Sequence, residues 1–172
     1  MTAIPEGRIS RVAGGLFHSV AAGTTIAAGD VVKPLSSQLW GLSAGFSYNS
    51  GTGLFTLDST KKYQIECDLF AEAQGIKYNV IHGFTDSAGT EIADSCRGRV
   101  IGHTPDDYYQ NYDLCADETA LAIIDGASIA SFYWKILEIN RTASNAIELD
   151  NESVTGWNSY AATKTRLIIR EY

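Results

Sequence analysis

A strict alternation of apolar and polar side chains in the segment TKKYQIECDLFA, residues 60–71, is the feature that most constrains the fold. Every second residue from Tyr63 to Leu69 is apolar, and the residues between them are polar or charged. Successive side chains of a β-strand face opposite ways, so a period of two is typical of a strand with one buried face. We therefore predict a half-buried strand here.

Other short runs rich in Val, Ile, Tyr, Phe and Thr recur along the chain and are separated by turn clusters such as NSGTG at 49–53 and DGAS at 125–128. This succession is typical of an all-β sandwich or barrel. The further predicted strands are Thr24–Val32, Trp40–Tyr48, Leu54–Leu57, Ile76–Thr85, Arg97–Ile101, Tyr108–Leu114, Ile129–Ile139 and Thr165–Tyr172.

The segment DETALAIID, residues 117–125, has two interpretations. Asp117 could cap a helix whose acidic first turn faces the positive end of the helix dipole. The alternating apolar run that follows is equally typical of a strand. The pattern leaves helix and strand open.

The charge balance excludes two classes of partner. The chain has 13 Lys and Arg against 20 Asp and Glu, which gives a net charge of −7. Such a chain has no cationic surplus for binding phosphates, and no apolar run long enough to span a bilayer. We expect neither nucleic acid nor membrane as a partner. The opening residues hold no hydrophobic signal core, so we expect synthesis and assembly in a cytoplasm.

Three cysteines, Cys67, Cys96 and Cys115, make a poor disulfide framework. Buried free thiols in a reducing compartment are the favoured interpretation. A Cys96–Cys115 bridge is left open.

The first 38 residues are rich in small residues and poor in aromatic ones. We predict that residues 1–38 form an extended arm and that residues 39–172 form the compact domain. An arm without its own core gains order by packing on a neighbour. Its apolar side chains are the candidate partner-binding residues: Ile4, Ile9, Val12, Leu16, Phe17, Val31 and Val32.

No motif in the chain makes a convincing catalytic or metal site. GLSAG at 41–45 matches G-x-S-x-G, but a hairpin pattern rather than a helix follows Ser43. His103 lies near Asp106 and Asp107 in a spacing that fits no metal motif. We expect no enzyme, no catalytic or metal-binding residue and no cofactor.

Two aromatic clusters are candidates for surface recognition. Tyr108, Tyr109 and Tyr112 lie in the segment YYQNYD, and Trp157 and Tyr160 lie in GWNSY. Flat rings next to amides can stack on a sugar or fill a protein interface. The alternative is that these rings fill the core or a subunit contact.

The segment SFYWKILEI, residues 131–139, is too apolar for a strand with one wet face. Phe132 and Trp134 point one way and Tyr133 points the other. A strand that is apolar on both faces is buried on both. We therefore take Phe132, Tyr133 and Trp134 as candidates for a subunit interface.

Residues 46–69 resemble the central segment of the complement C1q and tumour-necrosis-factor type of jelly roll. That family has an aromatic-Asn turn, then Gly-x-Phe-Thr, then Tyr-x-aliphatic at the start of an inner strand. The matching positions are Tyr48, Gly53, Phe55, Thr56, Tyr63 and Ile65. The resemblance implies an antiparallel jelly-roll sandwich that assembles as a homotrimer.

The same jelly roll occurs in bacteriophage virion proteins, which this short, acidic chain resembles more than the extracellular members. The resemblance implies a capsid decoration (cement) protein on the outside of the head, which would bind the major capsid protein through the arm. Three linked arms would raise the effective concentration of each contact. The alternative is the receptor-binding head of a tail fibre or head fibre that recognises a host surface glycan.

Overall fold

A computed structural model describes residues 13–18, 20–21, 23–73, 76–93, 95–103, 113–144, 146–149 and 165–172 of the 172-residue chain. These residues form strands and no helix. The strands are β1 (Ala13–His18), β2 (Thr24–Thr25), β3 (Ser36–Trp40), β4 (Ser47–Asn49), β5 (Leu54–Thr56), β6 (Lys62–Asp68), β7 (Ala71–Glu72), β8 (Lys77–Asp86), β9 (Gly98–His103), β10 (Asp113–Glu118), β11 (Ala120–Asp125), β12 (Ser131–Arg141), β13 (Glu148–Leu149) and β14 (Arg166–Glu171).

The strands form three sheets in which every pairing between strands is antiparallel. A five-stranded sheet has the order β11-β6-β14-β1-β3, and a six-stranded sheet has the order β10-β9-β8-β12-β5-β4. A small sheet, β2-β13-β7, is the third. The expectation of an all-β, antiparallel fold is confirmed.

One core joins the two larger sheets. Phe17 of β1 in the five-stranded sheet makes an edge-on contact with Phe55 of β5 in the six-stranded sheet, at 4.9 Å between ring centroids. Phe55 in turn stacks on Phe132 of β12 at 4.8 Å and on Tyr48 of β4 at 4.4 Å. Aromatic pairs at these separations add to the stabilisation that burial gives. The two sheets are therefore packed face to face, as in a sandwich.

The beginning of the described chain differs from the expected arm. β1 lies inside the five-stranded sheet, paired with β14 on one side and with β3 on the other. Phe17 is fully buried, and Val20, Ile26 and Val32 are also core residues. The strand pairing therefore has no break at residue 38, and residues 13–38 contribute to the domain's own core.

Most predicted strands are present with bounds that differ by one to three residues, including the alternating one, which is β6. The segment 117–125 is extended, so its strand interpretation is confirmed. The strand predicted over Trp40–Tyr48 is wrong: β3 ends at Trp40, the chain turns, and β4 begins at Ser47. Of the strand predicted over Thr24–Val32, only Thr24–Thr25 and a bridge at Val31 are formed. Of Tyr108–Leu114, residues 104–112 lie outside the described residues.

Candidate functional site

The outer face of the five-stranded sheet carries exposed apolar side chains. We define it as the side chains of β1, β3, β6, β11 and β14 that alternate with the buried ones. In the register, Ile123, Gln64, Arg170, Gly14 and Trp40 form one row across all five strands. Ile123 is 68 % exposed and Trp40 is 42 % exposed, at the two ends of this row. The face therefore has an apolar side chain at each of its lateral edges.

The indole of Trp40 lies over the backbone of β1. A Cβ atom built on Gly14 would lie 2.9 Å from Trp40 Nε1 and 2.6 Å from the carbonyl oxygen of Ile169. A glycine is therefore required at position 14 for the indole to approach the sheet. The indole ring therefore packs against the backbone of β1, which restricts its movement at the surface.

The centre of the outer face is also partly apolar. The next row pairs Leu121, Glu66, Ile168 and Leu16, and all four side chains are half-buried. Leu16, a candidate partner-binding residue of the expected arm, thus lies on this face as part of β1. Sequence reasoning missed Ile123, Ile168 and Trp40. The sequence did indicate Ile123: in the run ALAIID, residues 120–125, apolar residues occupy both odd and even positions, so some of them must lie on the outer face.

The charges on the outer face neutralise one another. Arg170 Nη1 lies 2.6 Å from Glu66 Oε1, and Arg166 Nε lies 2.6 Å from Asp68 Oδ2. Thr119 Oγ1 also donates to Asp68 Oδ1 at 2.6 Å. Because both arginine side chains remain a third or more exposed, each pair contributes little stability. The pairs instead leave a face with little net charge on an acidic protein, which favours contact with another protein surface.

The residues predicted for a threefold interface lie elsewhere. Phe132 and Trp134 are fully buried in the chain's own core, so they do not reach a neighbouring copy. Tyr133 is half-buried on the opposite side of β12, with Lys135 Nζ 5.7 Å from its ring centroid.

β12 has neighbours from the same chain along its edge and on its outward face. Segment 29–32 lies beside β12, where Gly29 N donates to the Ile136 carbonyl and Val32 N donates to the Trp134 carbonyl. On the outward side, Leu137 packs over Gly83 of β8. The doubly apolar pattern of residues 131–139 therefore has an explanation within one chain.

The remaining candidate partner-binding residues divide between the core and the undescribed segment. Phe17 and Val32 are buried in the core, and Val31 is half-buried and bridges to Lys135. Because the fold itself covers Phe17 and Val32, they are not available to a partner. Ile4, Ile9 and Val12 lie outside the described residues.

The aromatic clusters predicted for surface recognition also lie outside the described residues: Tyr108, Tyr109, Tyr112, Trp157 and Tyr160. The same holds for the side chains of His103 and Cys115, so the alternative of a Cys96–Cys115 bridge stays open. Cys96 itself is exposed, and Cys67 is buried.

Ser43 of the GLSAG segment has a structural partner. Its Oγ donates to Glu171 Oε2 at 2.8 Å, and its backbone N–H donates to the same oxygen at 3.0 Å. Tyr63 also donates to this carboxylate, at 3.2 Å, and accepts from the backbone N–H of Asp58 at 3.0 Å. Burial is the main cause that raises the pKa of Tyr63. The cluster anchors the turn after β3 to the end of β14.

A second buried polar cluster lies between the sheets. Trp134 Nε1 donates to His82 Nδ1 at 3.2 Å, and Cys67 Sγ lies 3.6 Å from the same nitrogen. An indole N–H can only donate, so His82 is assigned as the neutral tautomer with its proton on Nε2. That Nε2 has no hydrogen-bond partner among the residues that the structure describes. Burial lowers the pKa of His82 from 6.5 to about 4.

Among the described residues, no three His, Cys, Asp or Glu side chains are grouped so that they could hold a metal ion. The described residues likewise include no helix capable of crossing a membrane. No protein-family model matches the chain, and neither does any curated protein.

Proposed function

We propose that this protein is a structural subunit of a bacteriophage virion. In this proposal it has a jelly roll of the C1q and tumour-necrosis-factor type, assembles as a homotrimer, and decorates the outside of the capsid as a cement protein. Its function is binding and stabilisation, without catalysis. The observation that carries the self-association is the outer face of the five-stranded sheet.

The strand order supports the jelly-roll part of the proposal. β1 pairs with β14, the last strand of the chain, and β6 pairs with both β14 and β11. The order β4-β5-β12-β8-β9 in the other sheet again places early strands beside late ones. Such non-consecutive neighbours are typical of Greek-key and jelly-roll sandwiches.

The residues behind the resemblance occupy positions that suit this fold. Phe55 and Tyr63 are fully buried on opposite sheets, and Tyr48 stacks on Phe55. Gly53 has a φ of 78°, and a Cβ there would lie 2.5 Å from Val31 Cγ1. The glycine of the motif is thus required both for its backbone angle and for close packing.

The outer face supports a cyclic assembly. A ring of three copies uses two different patches on each chain, which meet head to tail. Ile123 on β11 and Trp40 on β3 lie at opposite edges of one face, about 19 Å apart if four strand spacings separate them. Exposed apolar residues in a surface whose charges are paired are typical of subunit contacts.

The buried polar groups also favour a structural role. The hydroxyl of Ser43 is committed to a buried carboxylate, and the imidazole of His82 is enclosed by the core. A nucleophile or general base has to reach a substrate atom within hydrogen-bond distance. These groups hold elements of the fold together instead.

Oligomeric state tests the assembly. We expect the wild-type protein to sediment as a trimer, and the Ile123→Lys variant to sediment as a smaller species because three cations would be forced into apolar contacts. Ser50→Lys, at an exposed turn position, is the matched control and should keep the wild-type state. A wild-type monomer at micromolar concentration would overturn the trimer.

Location tests the virion role separately. Antibodies against the recombinant domain, detected with gold on particles from the source lysate, should label the whole surface of the head. Label restricted to tails or single spikes would replace the cement function with receptor binding. Particles without label, together with labelled free protein, would contradict both.

A further inference from the structure

Strand β3 forms an open edge of the five-stranded sheet as far as the structure describes the chain. All five of its residues, Ser36–Trp40, are exposed, and it pairs with β1 on one side only within the described part of the chain. Edge strands offer unpaired backbone N–H and C=O groups to other strands. Proteins usually block such edges with charges, prolines or bulges. β3 has none of these within its bounds.

The stretch of sequence that contains β3 lacks charged residues. From Pro34 to Leu57 the sequence contains no Asp, Glu, Lys or Arg, although the chain as a whole has a net charge of −7. Two large apolar side chains lie along the edge, Leu35 at 61 % exposure and Leu39 at 58 %. The edge would therefore meet a second copy without the repulsion that acidic surfaces of one protein exert on each other.

We propose that β3 pairs with β3 of a second copy, antiparallel and centred on Ser37, so that the two five-stranded sheets join into one. A twofold axis perpendicular to the joined sheet does not exchange its two faces. Residues opposite each other in an antiparallel pair point to the same face, so two opposed residues must both have odd numbers or both have even numbers. The axis must therefore pass through a residue and not between two.

Among these registers, the one centred on Ser37 matches the side chains best. It places Leu35 of one copy opposite Leu39 of the other, and Ser36 opposite Gln38. A centre at Gln38 would place Leu39 opposite Ser37, and a centre at Ser36 would place Leu35 opposite Ser37. Directly opposed apolar pairs are the unit that stabilises a strand pairing. Only the Ser37 register gives two leucine pairs related by the axis.

This twofold contact goes beyond the proposed trimer, and it adjoins the threefold contact at Trp40, which is also a residue of β3. It involves the backbone edge of β3, whereas the threefold contact uses side chains on the outer face of the sheet. A protein with both contacts would sediment as a trimer when dilute, and its trimers would link to one another as the concentration rises. A substitution can remove one contact and leave the other, so an experiment can refute either proposal without refuting the other.

Disulfide trapping tests the register directly. Opposed residues in antiparallel strands have Cα atoms about 4.5–5.5 Å apart, which a disulfide can span. Residues offset by two positions are about 7–8 Å apart, which it cannot. Ser37→Cys in a Cys96→Ser/Cys115→Ser background should therefore form a covalent dimer under mild oxidation. Ser36→Cys, in the same background, is the matched control.

We expect the Ser37→Cys protein to cross-link at least about tenfold faster than the Ser36→Cys protein, in line with the distances. A mixture of Ser36→Cys and Gln38→Cys proteins should give the mixed dimer. Equal rates for Ser37→Cys and Ser36→Cys, or no cross-linking of either, would overturn the register. The same measurement in an Ile123→Lys background keeps the result independent of the trimer.

Sedimentation gives the second readout. The Ile123→Lys protein should be a concentration-dependent dimer, and adding Ser37→Lys should make it monomeric by placing like charges opposite each other. Adding Ser47→Lys instead, at an exposed position on the edge strand β4, should leave the dimer intact. An Ile123→Lys protein that is monomeric throughout would contradict the twofold contact, whatever the wild-type state.

Discussion

Acid should destabilise this protein through one side chain in its core. His82 of β8 is fully buried, and its Nδ1 accepts a hydrogen bond from Trp134 Nε1 at 3.2 Å. Protonation would place a second proton on Nδ1, so that nitrogen and indole would both be donors. It would also leave a cation between the sheets, where no described residue accepts a hydrogen bond from Nε2.

The size of the effect follows from the two pKa values. Burial lowers the pKa of His82 from 6.5 to about 4, and the nearby charge of Asp68 opposes this shift only in part. Between these values the unfolded chain binds a proton that the folded chain does not, so stability falls as the pH falls. The slope is about 1.4 kcal/mol per pH unit and the total about 3 kcal/mol. From about one pH unit above 6.5 upwards, the imidazole is neutral in both states and no longer contributes to the pH dependence.

Urea unfolding at a series of pH values from 4 to 7.5 measures this dependence. We expect the free energy of unfolding of the wild type, minus that of His82→Gln, to decrease by about 3 kcal/mol from pH 6.5 to pH 4. The Ser50→Gln variant, at an exposed turn position, should keep the wild-type dependence. Trp134 fluorescence in the folded state reports whether the imidazole is protonated.

A difference between wild type and His82→Gln that stays constant over this pH range would refute the reasoning. It would mean that the imidazole has the same pKa folded and unfolded, so that water reaches it in the folded state. A loss of stability on acidification that is as large in His82→Gln as in Ser50→Gln would also refute it, because the effect would then not belong to the core histidine.

Two further variants, each with a control, test the assignment of Phe132 to the core and of Ser43 to the hydrogen bonds that anchor the turn after β3. Phe132→Ala should lower the free energy of unfolding by about 3–5 kcal/mol, because it leaves a cavity beneath Phe55, while Tyr133→Ala should cost less; urea unfolding measures both, and equal costs would contradict the inward orientation of Phe132. Ser43→Ala should cost about 1–3 kcal/mol by removing a donor to the buried Glu171 carboxylate, while Ser47→Ala should be close to neutral; an unchanged urea midpoint for Ser43→Ala would show that water replaces the hydroxyl.

Local patterns were enough to predict the fold class and most of its strands. β6 follows from its alternation alone, since every apolar residue from Tyr63 to Cys67 is buried. The turn between β3 and β4 was missed because its residues are as apolar as the strands beside it. Gly41 at a φ of 66° and the hydrogen bond from Phe46 N to Ser43 O at 3.1 Å break the strand there.

Pairings between distant parts of the chain were out of reach. The AGGLFH segment of β1 has few strand-forming residues, and it is held by β14, which begins 148 residues after His18 in the sequence. No local pattern reveals such a partner, so the segment was predicted to be an arm. For the same reason, residues 131–139 were predicted to face a neighbouring copy. Their inward side chains instead fill the core of the same chain, and Leu137 packs over Gly83 on the outward face.

The uncharged stretch 34–57 explains why composition alone could not locate a binding surface. Part of it fills the core, where Phe55 is fully buried and Phe46 nearly so. Another part leaves Leu35 and Leu39 more than half exposed along an open strand edge. The residue types are similar, and only the pairing of β3 with β1 on a single side separates the two. The absence of charge thus allows Phe46 and Phe55 to be buried in the core. In the proposed twofold contact, it allows Leu35 and Leu39 to meet a second copy.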